Sequence, residues 1–200
     1  MTIENQVEKF SYAIGLSLAS NLLQSGIKTI ELKQLFEAIE DVMEGRQPKI
    51  PPQEANQVIE EHFKNKQANE GAENAKAGET FLTNNKNKEG ITELESGLQY
   101  EILTKGNGKT PKATDKVKCH YHGTLVDGTV FDSSVQRGQP AEFPVNGVIK
   151  GWIEALQMMP TGSKWRLYVP PHLAYGDQGA GGVIGPKATL IFDVELIDII

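Results

Sequence analysis

The side chains best suited to forming a functional site in this 200-residue chain lie in its second half, and most of them are rings: Tyr121, Phe131, Phe143, Trp152, Tyr175 and Phe192. Taken alone, their spacing fits either a packed core or the lining of an apolar pocket. The groups capable of covalent or metal chemistry are poorly placed. His120 and His122 lie two apart on a predicted strand and could share a metal, but no third ligand accompanies them. Cys119, the single cysteine, falls on the opposite face and reads as a buried, inert thiol, since a nucleophile needs an activating partner and access. Gly108-Lys109-Thr110 matches the end of a phosphate-binding loop, yet Leu103 stands where that motif needs its first glycine. Gly179, Gly181 and Gly182 form a loop with no lysine-serine pair beside it, which argues against a nucleotide.

Alternating strands would have to position the rings. Leu98 to Thr104 alternates. From Lys116, Val117, Cys119, Tyr121 and Leu125 share one face, while Lys116, Lys118, His120, His122 and Thr124 share the other. Asp127-Gly128 marks a tight turn. Trp165, Leu167 and Val169 alternate with Lys164, Arg166 and Tyr168, and Leu190, Phe192, Val194 and Leu196 with Ile191, Asp193 and Glu195. This predicts an antiparallel sheet with one apolar and one wet face. One helix is available to cover the apolar face: Trp152, Ala155, Leu156 and Met159 recur at helical spacing before Pro160 and Gly162. A curved sheet, a half-barrel wrapped around that short helix, leaves a mouth where a ligand could sit.

The first half has a different character. Before Gly90, Glu, Lys, Gln, Asn and Ala dominate. A helix with Phe10, Ala13, Ile14, Ser17 and Leu18 on one face stops near Gly26. A second runs from Glu31 to Met43 with Leu32, Leu35, Phe36 and Ile39 on one side, and Gly45 and Pro48 end it. A third pattern begins near Pro52 and reaches toward Asn87. As one helix it would extend roughly 50 Å, although Gly71 and Gly78 each weaken it by about 1 kcal/mol. The alternative is a solvated linker, and its polar surface argues against burial in either case. Two short amphipathic helices enclose little core, so self-association of residues 1–50 is expected; the alternative is packing on the same chain's second half. The fold class is therefore α+β: an all-helical dimerisation domain over 1–50, a long helical arm over 51–90 and a sheet domain over 91–200.

A net charge of −6 without a basic cluster gives no reason to expect nucleic acid. No apolar run approaches the roughly 20 residues needed to span a bilayer, and Met1–Phe10, with Glu4 and Glu8, does not read as a secretory signal. One cysteine is compatible with a reducing compartment. The expectation is a cytoplasmic protein without membrane contact.

The stretches Tyr121-His122-Gly123-Thr124-Leu125, Asp127 to Ser134, Val148-Ile149-Lys150-Gly151-Trp152, Pro170 to Gly176 and Ala188 to Leu196 together resemble the FKBP family of peptidyl-prolyl cis-trans isomerases across residues 95–200. The helical first half is similar in architecture to the bacterial macrophage-infectivity-potentiator-like subgroup, whose members are V-shaped homodimers joined through their N-terminal domains. The resemblance implies a rotamase, or isomerase, that acts in protein folding on proline-containing peptides. It also implies unfolded protein clients and chaperone-like grip through the dimer, and macrolide inhibitors, with no metal and no cofactor.

By the same resemblance the catalytic set is Tyr121, Phe131, Asp132, Ile149, Trp152, Tyr175 and Phe192. Trp152 would form the floor, and the Ile149 N–H and Tyr175 hydroxyl would meet substrate carbonyls. Arg137, Phe143, Val148, Ala180, Val183 and Ile184 would bind substrate around it. Asp132 would either orient substrate or hold Tyr121 or a nearby loop. Ala141 and Ala180 depart from relatives that carry an aromatic ring and a histidine there, which bears on macrolide affinity and on preference around the proline. A family that also includes inactive binding domains leaves open a pocket that merely docks partners.

Overall fold

Residues 116–125, where alternation is clearest, form the strand around which the sheet is assembled. In a computed structural model of the chain, which describes residues 5–200, strands β1 (Ile91–Glu93), β2 (Gln99–Thr104), β3 (Lys116–Leu125), β4 (Val130–Ser133), β5 (Ala141–Pro144), β6 (Lys164–Val169) and β7 (Leu190–Ile199) build one antiparallel sheet. Its order is β1-β2-β6-β7-β3-β4, with β5 also pairing β3. The long β3 therefore runs beside β7 on one edge and beside β5 and then β4 on the other. Period-2 patterning sends Val117, Cys119, Tyr121, Trp165, Leu167, Val169, Leu190, Phe192, Val194 and Leu196 inward, and all are buried. Helix α4 (Lys150–Leu156) lies against them with Trp152, Ala155 and Leu156 buried, and Met159 follows just beyond its end. The half-barrel wrapped on one short helix is thus what the chain forms.

The outer face of the sheet is not uniformly wet. Arg166 and Asp193, cross-strand neighbours, pair through two hydrogen bonds of 2.5 and 2.8 Å. Tyr168, expected in water, is instead buried, and the Phe81 ring lies 5.8 Å from it. The cover comes from helix α3 (Pro52–Asn85), one unbroken helix where Gly71 and Gly78 left a linker open. The same two glycines, with Asn85, are its buried residues, spaced seven apart so that they share a face. At Gly71 a Cβ would come within 3.3 Å of the Pro186 ring, and at Gly78 it would collide with the Thr189 hydroxyl. Near the helix end the Asn85 amide donates to Gln99 Oε1 at 3.0 Å, and Gln99 Nε2 donates to the Leu82 carbonyl at 2.9 Å. The expectation of a helix without a buried face therefore fails for the second half of α3. Apart from Phe81, its contact is made by removing side chains rather than by adding apolar ones, so the hydrophobic pattern carries little trace of it.

The described chain divides into two compact units between Ile59 and Glu60, a boundary that falls within α3. The first unit holds α1 (Gln6–Gln24), capped by the Asn5 side chain accepting from the Glu8 N–H at 2.8 Å, and α2 (Leu32–Met43). Left-handed Gly26 and Gly45 follow these two helices. Residues 1–4, where the expected helical domain begins, lie outside the described residues. No residue of α1 is buried, and in α2 only Asp41 is, held by Arg46 at 3.0 Å. Phe10, Phe36 and Met43 are 67, 60 and 81% exposed. Among its described residues this unit encloses no apolar core within one chain.

The glycine contact at Thr189 has a measurable consequence. Gly78→Ala would ordinarily strengthen a helix by about 1 kcal/mol, but here it should destabilise the chain by about 1–3 kcal/mol in urea unfolding, because the new methyl overlaps the Thr189 hydroxyl. Adding Thr189→Ala should restore part of the loss; a stabilised single variant would contradict the contact.

Candidate active site

Strand β3 contributes Tyr121, and two local irregularities bring the other rings to it. A bulge opposite Gly123 interrupts the β3–β4 register and turns Phe131 toward the sheet's concave side. Gly123 is required there, because a Cβ on it would press into the Phe131 ring at 2.6 Å and lie 3.1 Å from Phe192. The 3-10 turn Val145–Gly147 leads through Val148 and Ile149 into α4, and Ile149 is the residue that caps the helix. Trp152, one turn on, meets Tyr121, Phe143 and Phe192 edge-to-face, with centroids 5.5, 5.8 and 5.3 Å away. A second 3-10 turn, Pro171–Leu173, delivers Tyr175 to the opposite lip.

These residues line one cavity of about 670 Å³. Of the residues singled out in the sequence, Tyr121, Phe131, Asp132, Phe143, Val148, Ile149, Trp152, Tyr175, Ala180, Val183, Ile184 and Phe192 all line it. Arg137 does not; it reaches the site through its neighbours. Gly147 and Gly181 also line the wall; no role is legible for Gly147, and Gly181 reads only as part of a glycine-rich loop, since a glycine without a side chain leaves no chemical signal of its own. Ala141 packs at the edge of the core rather than on the wall.

One polar group of three marks the rim. The Tyr121 hydroxyl donates to Asp132 Oδ2, Arg137 Nη1 donates to Asp132 Oδ1, and Arg137 Nη2 donates to the Tyr121 hydroxyl at 2.8 Å. The guanidinium also lies over the Tyr121 ring, 5.6 Å from its centroid. Burial acts to raise the Asp132 pKa, but the bonds from Tyr121 and Arg137 outweigh it, so the carboxylate stays below its ordinary range. Burial, aided by the bond to Asp132, pushes the Tyr121 hydroxyl up, so it remains a neutral phenol. Both Asp132 oxygens are engaged within the chain. That geometry holds Tyr121 in place and leaves Asp132 ill-suited to move a proton.

Other donors of the lining residues are unpaired. Among the described residues, the Ile149 N–H and the Tyr175 hydroxyl donate to no other group of the chain, and Trp152 Nε1 is buried without a partner. Tyr175 is 42% exposed, within reach of an arriving molecule. His120 and His122 sit on the outer face beside Ser134 and Ser133, each at 3.0 Å, and no group of three potential metal ligands occurs among the described residues. The Cys119 thiol is buried and pushed up to about 12, which leaves it unreactive. Apolar walls, spare hydrogen-bond donors and no nucleophile suit a change of conformation rather than the making or breaking of a bond.

Known proteins share this arrangement. Residues 107–197 match the family model described as FKBP-type peptidyl-prolyl cis-trans isomerase, and residues 7–102 match that of the domain amino terminal to it. The chain is 46% identical, over 100% of its length and 97% of the relative's, to the FKBP-type 22 kDa peptidyl-prolyl cis-trans isomerase of Escherichia coli. It is 45% identical to the outer membrane protein MIP of Legionella longbeachae, over 96% of this chain and 85% of that one. The crystal structure of FkpA from Escherichia coli superposes with a TM-score of 0.74 at 33% identity, covering 99% and 98% of the two chains. The chain belongs to the FKBP-type peptidyl-prolyl cis-trans isomerases.

Proposed function

We propose that the ring-lined cavity takes up a proline of a peptide or unfolded protein and lowers the barrier to rotation about the bond before it, so that the enzyme accelerates proline-limited folding. The observation that carries this is the pairing of an apolar floor with two free donors, the Ile149 N–H and the Tyr175 hydroxyl. The uncatalysed bond rotates over about 18–20 kcal/mol. The planar amide is more charge-separated than the twisted one, so water favours the ground state and a dry pocket favours the twist. Each 1.36 kcal/mol gained in this way speeds the reaction about tenfold. Trp152, Phe131 and Phe192 hold the pyrrolidine ring away from water, Val148, Val183 and Ile184 close the sides, and the two donors orient the flanking carbonyls. Asp132 and Arg137 fix the Tyr121 ring that forms one wall.

The exposed apolar faces of α1 and α2 favour a homodimer in which two copies cover Phe10, Phe36 and Met43. The same apolar surface suits chaperone-like binding of unfolded clients, and two linked pockets would raise effective concentration. Macrolides of the FKBP class would compete for the pocket, whose lining includes Ala180 in place of the histidine that relatives carry. A cytoplasmic location belongs to this proposal too. It is supported by the single cysteine, while one relative's name places that protein at the outer membrane. No helix of the described residues is long and apolar enough to cross a membrane.

In a cis-trans assay on an Xaa-Pro peptide, Trp152→Leu should lower kcat/KM about tenfold or more, and Asp132→Ala by a smaller factor, with far-UV circular dichroism unchanged; full activity in both would remove the assigned site. The pH profile should be flat through neutrality. Asp132 has a depressed folded pKa, so its contribution is complete above the unfolded value of about 3.9 and is lost only as pH falls through the lower folded value. In sedimentation, the full chain should run as a dimer and a Phe36→Glu, Met43→Glu variant as a monomer; a dimeric variant would overturn the proposed interface.

A further inference from the structure

One cavity wall is not held by the sheet. Ala180, Gly181, Val183 and Ile184 come from the loop between Tyr175 and β7. The loop closes on itself, with the Ala180 N–H donating to Ile184 O at 2.8 Å and the Ile184 N–H to Ala180 O at 3.0 Å. Glycines at 179, 181, 182 and 185 leave its backbone little stiffness of its own. Its first end is tied by the Lys187 N–H donating to Gly176 O at 2.8 Å. Its last residues, Gly185 and Pro186, lie directly on α3. Gly185 has no room for a Cβ because the Glu70 and Asn74 side chains occupy that space, and Pro186 rests on Gly71. At this contact Asn74 Nδ2 donates to the carbonyl of the buried Pro186 at 2.9 Å.

We propose that Asn74, on α3, is a positioning residue for the reaction: by holding the Pro186 carbonyl it fixes the loop that presents Val183 and Ile184 to the substrate. Removing the donor leaves a part-buried carbonyl unpaired, and the loop shifts to reach water. A displaced wall touches ground and transition states alike, so the loss appears in KM and not in kcat. A residue important only for folding would instead lower the amount of active enzyme, cutting apparent kcat at constant KM. The second half of α3 thereby belongs to the catalytic unit, and cutting the chain at residue 90 would not isolate an undisturbed pocket.

The inference rests on the cavity being the substrate site. Were that reading wrong, Trp152→Leu would leave turnover intact. Were this inference wrong, Trp152→Leu would be impaired and the Asn74 variants normal. The test compares Asn74→Ala, Asn74→Asp and Asn74→Gln in the full chain on an Xaa-Pro peptide well below the unfolding temperature. Asn74→Ala and Asn74→Asp should raise KM about five- to tenfold, with kcat within about twofold of the parent. The Val183 and Ile184 amide resonances should move in the same two variants. Asn74→Gln, which keeps the donor, should recover most of the lost affinity. Unchanged KM in the alanine and aspartate variants, or a glutamine variant as impaired as alanine, would overturn the proposal.

Discussion

Trp152 is held at the bottom of the cavity by edge-to-face contacts with three rings, and the geometry of the site follows from them. Edge-to-face packing sets the indole at a fixed tilt and leaves a face on which a pyrrolidine ring can lie. Each partner comes from a different element: Tyr121 from the central strand, Phe143 from the short strand beside it and Phe192 from the last strand. Moving any of these strands by one residue would turn its ring to the outer face. The curvature of the sheet, the bulge before Asp132 and the glycine at 123 are thus conditions for a dry floor as much as features of folding.

Catalysis by such a floor needs little ionic chemistry, and the charges are arranged accordingly. The Asp132 carboxylate is fully occupied by Tyr121 and Arg137, and the remaining donors at the cavity are neutral. A charge free to move in the pocket would bring water with it and restore the solvation that favours the planar amide. Keeping the rim network closed on itself serves the same end as the aromatic walls.

The sheet and α4 were legible because half-buried strands leave a period of two and covering helices a period near 3.6. The site residues were reached through ordered motifs of the family; from spacing alone the rings read equally as core. Three features were not legible. Tyr168 sits at an outward position yet is buried, because its cover comes from Phe81, remote in sequence. Gly71 and Gly78 read as weaknesses of a helix, whereas they are its points of closest approach to Pro186 and Thr189. A stripe of Gly71, Asn74, Gly78 and Asn85 at helical spacing was the available signal, and it is invisible to any scale that counts apolar surface. Gly147 and Gly181 line the cavity with backbone, which no side-chain pattern reports.

Proton–nitrogen spectra of the labelled chain, recorded while an Xaa-Pro peptide is added, test directly whether a proline enters the space above Trp152 and turns there. The indole N–H of Trp152 and the amide of Ile149 should shift together on binding, with exchange between bound cis and trans peptide faster than in free solution. Shifts confined to α1 and α2, with Trp152 and Ile149 unmoved while the peptide isomerises, would contradict that reading.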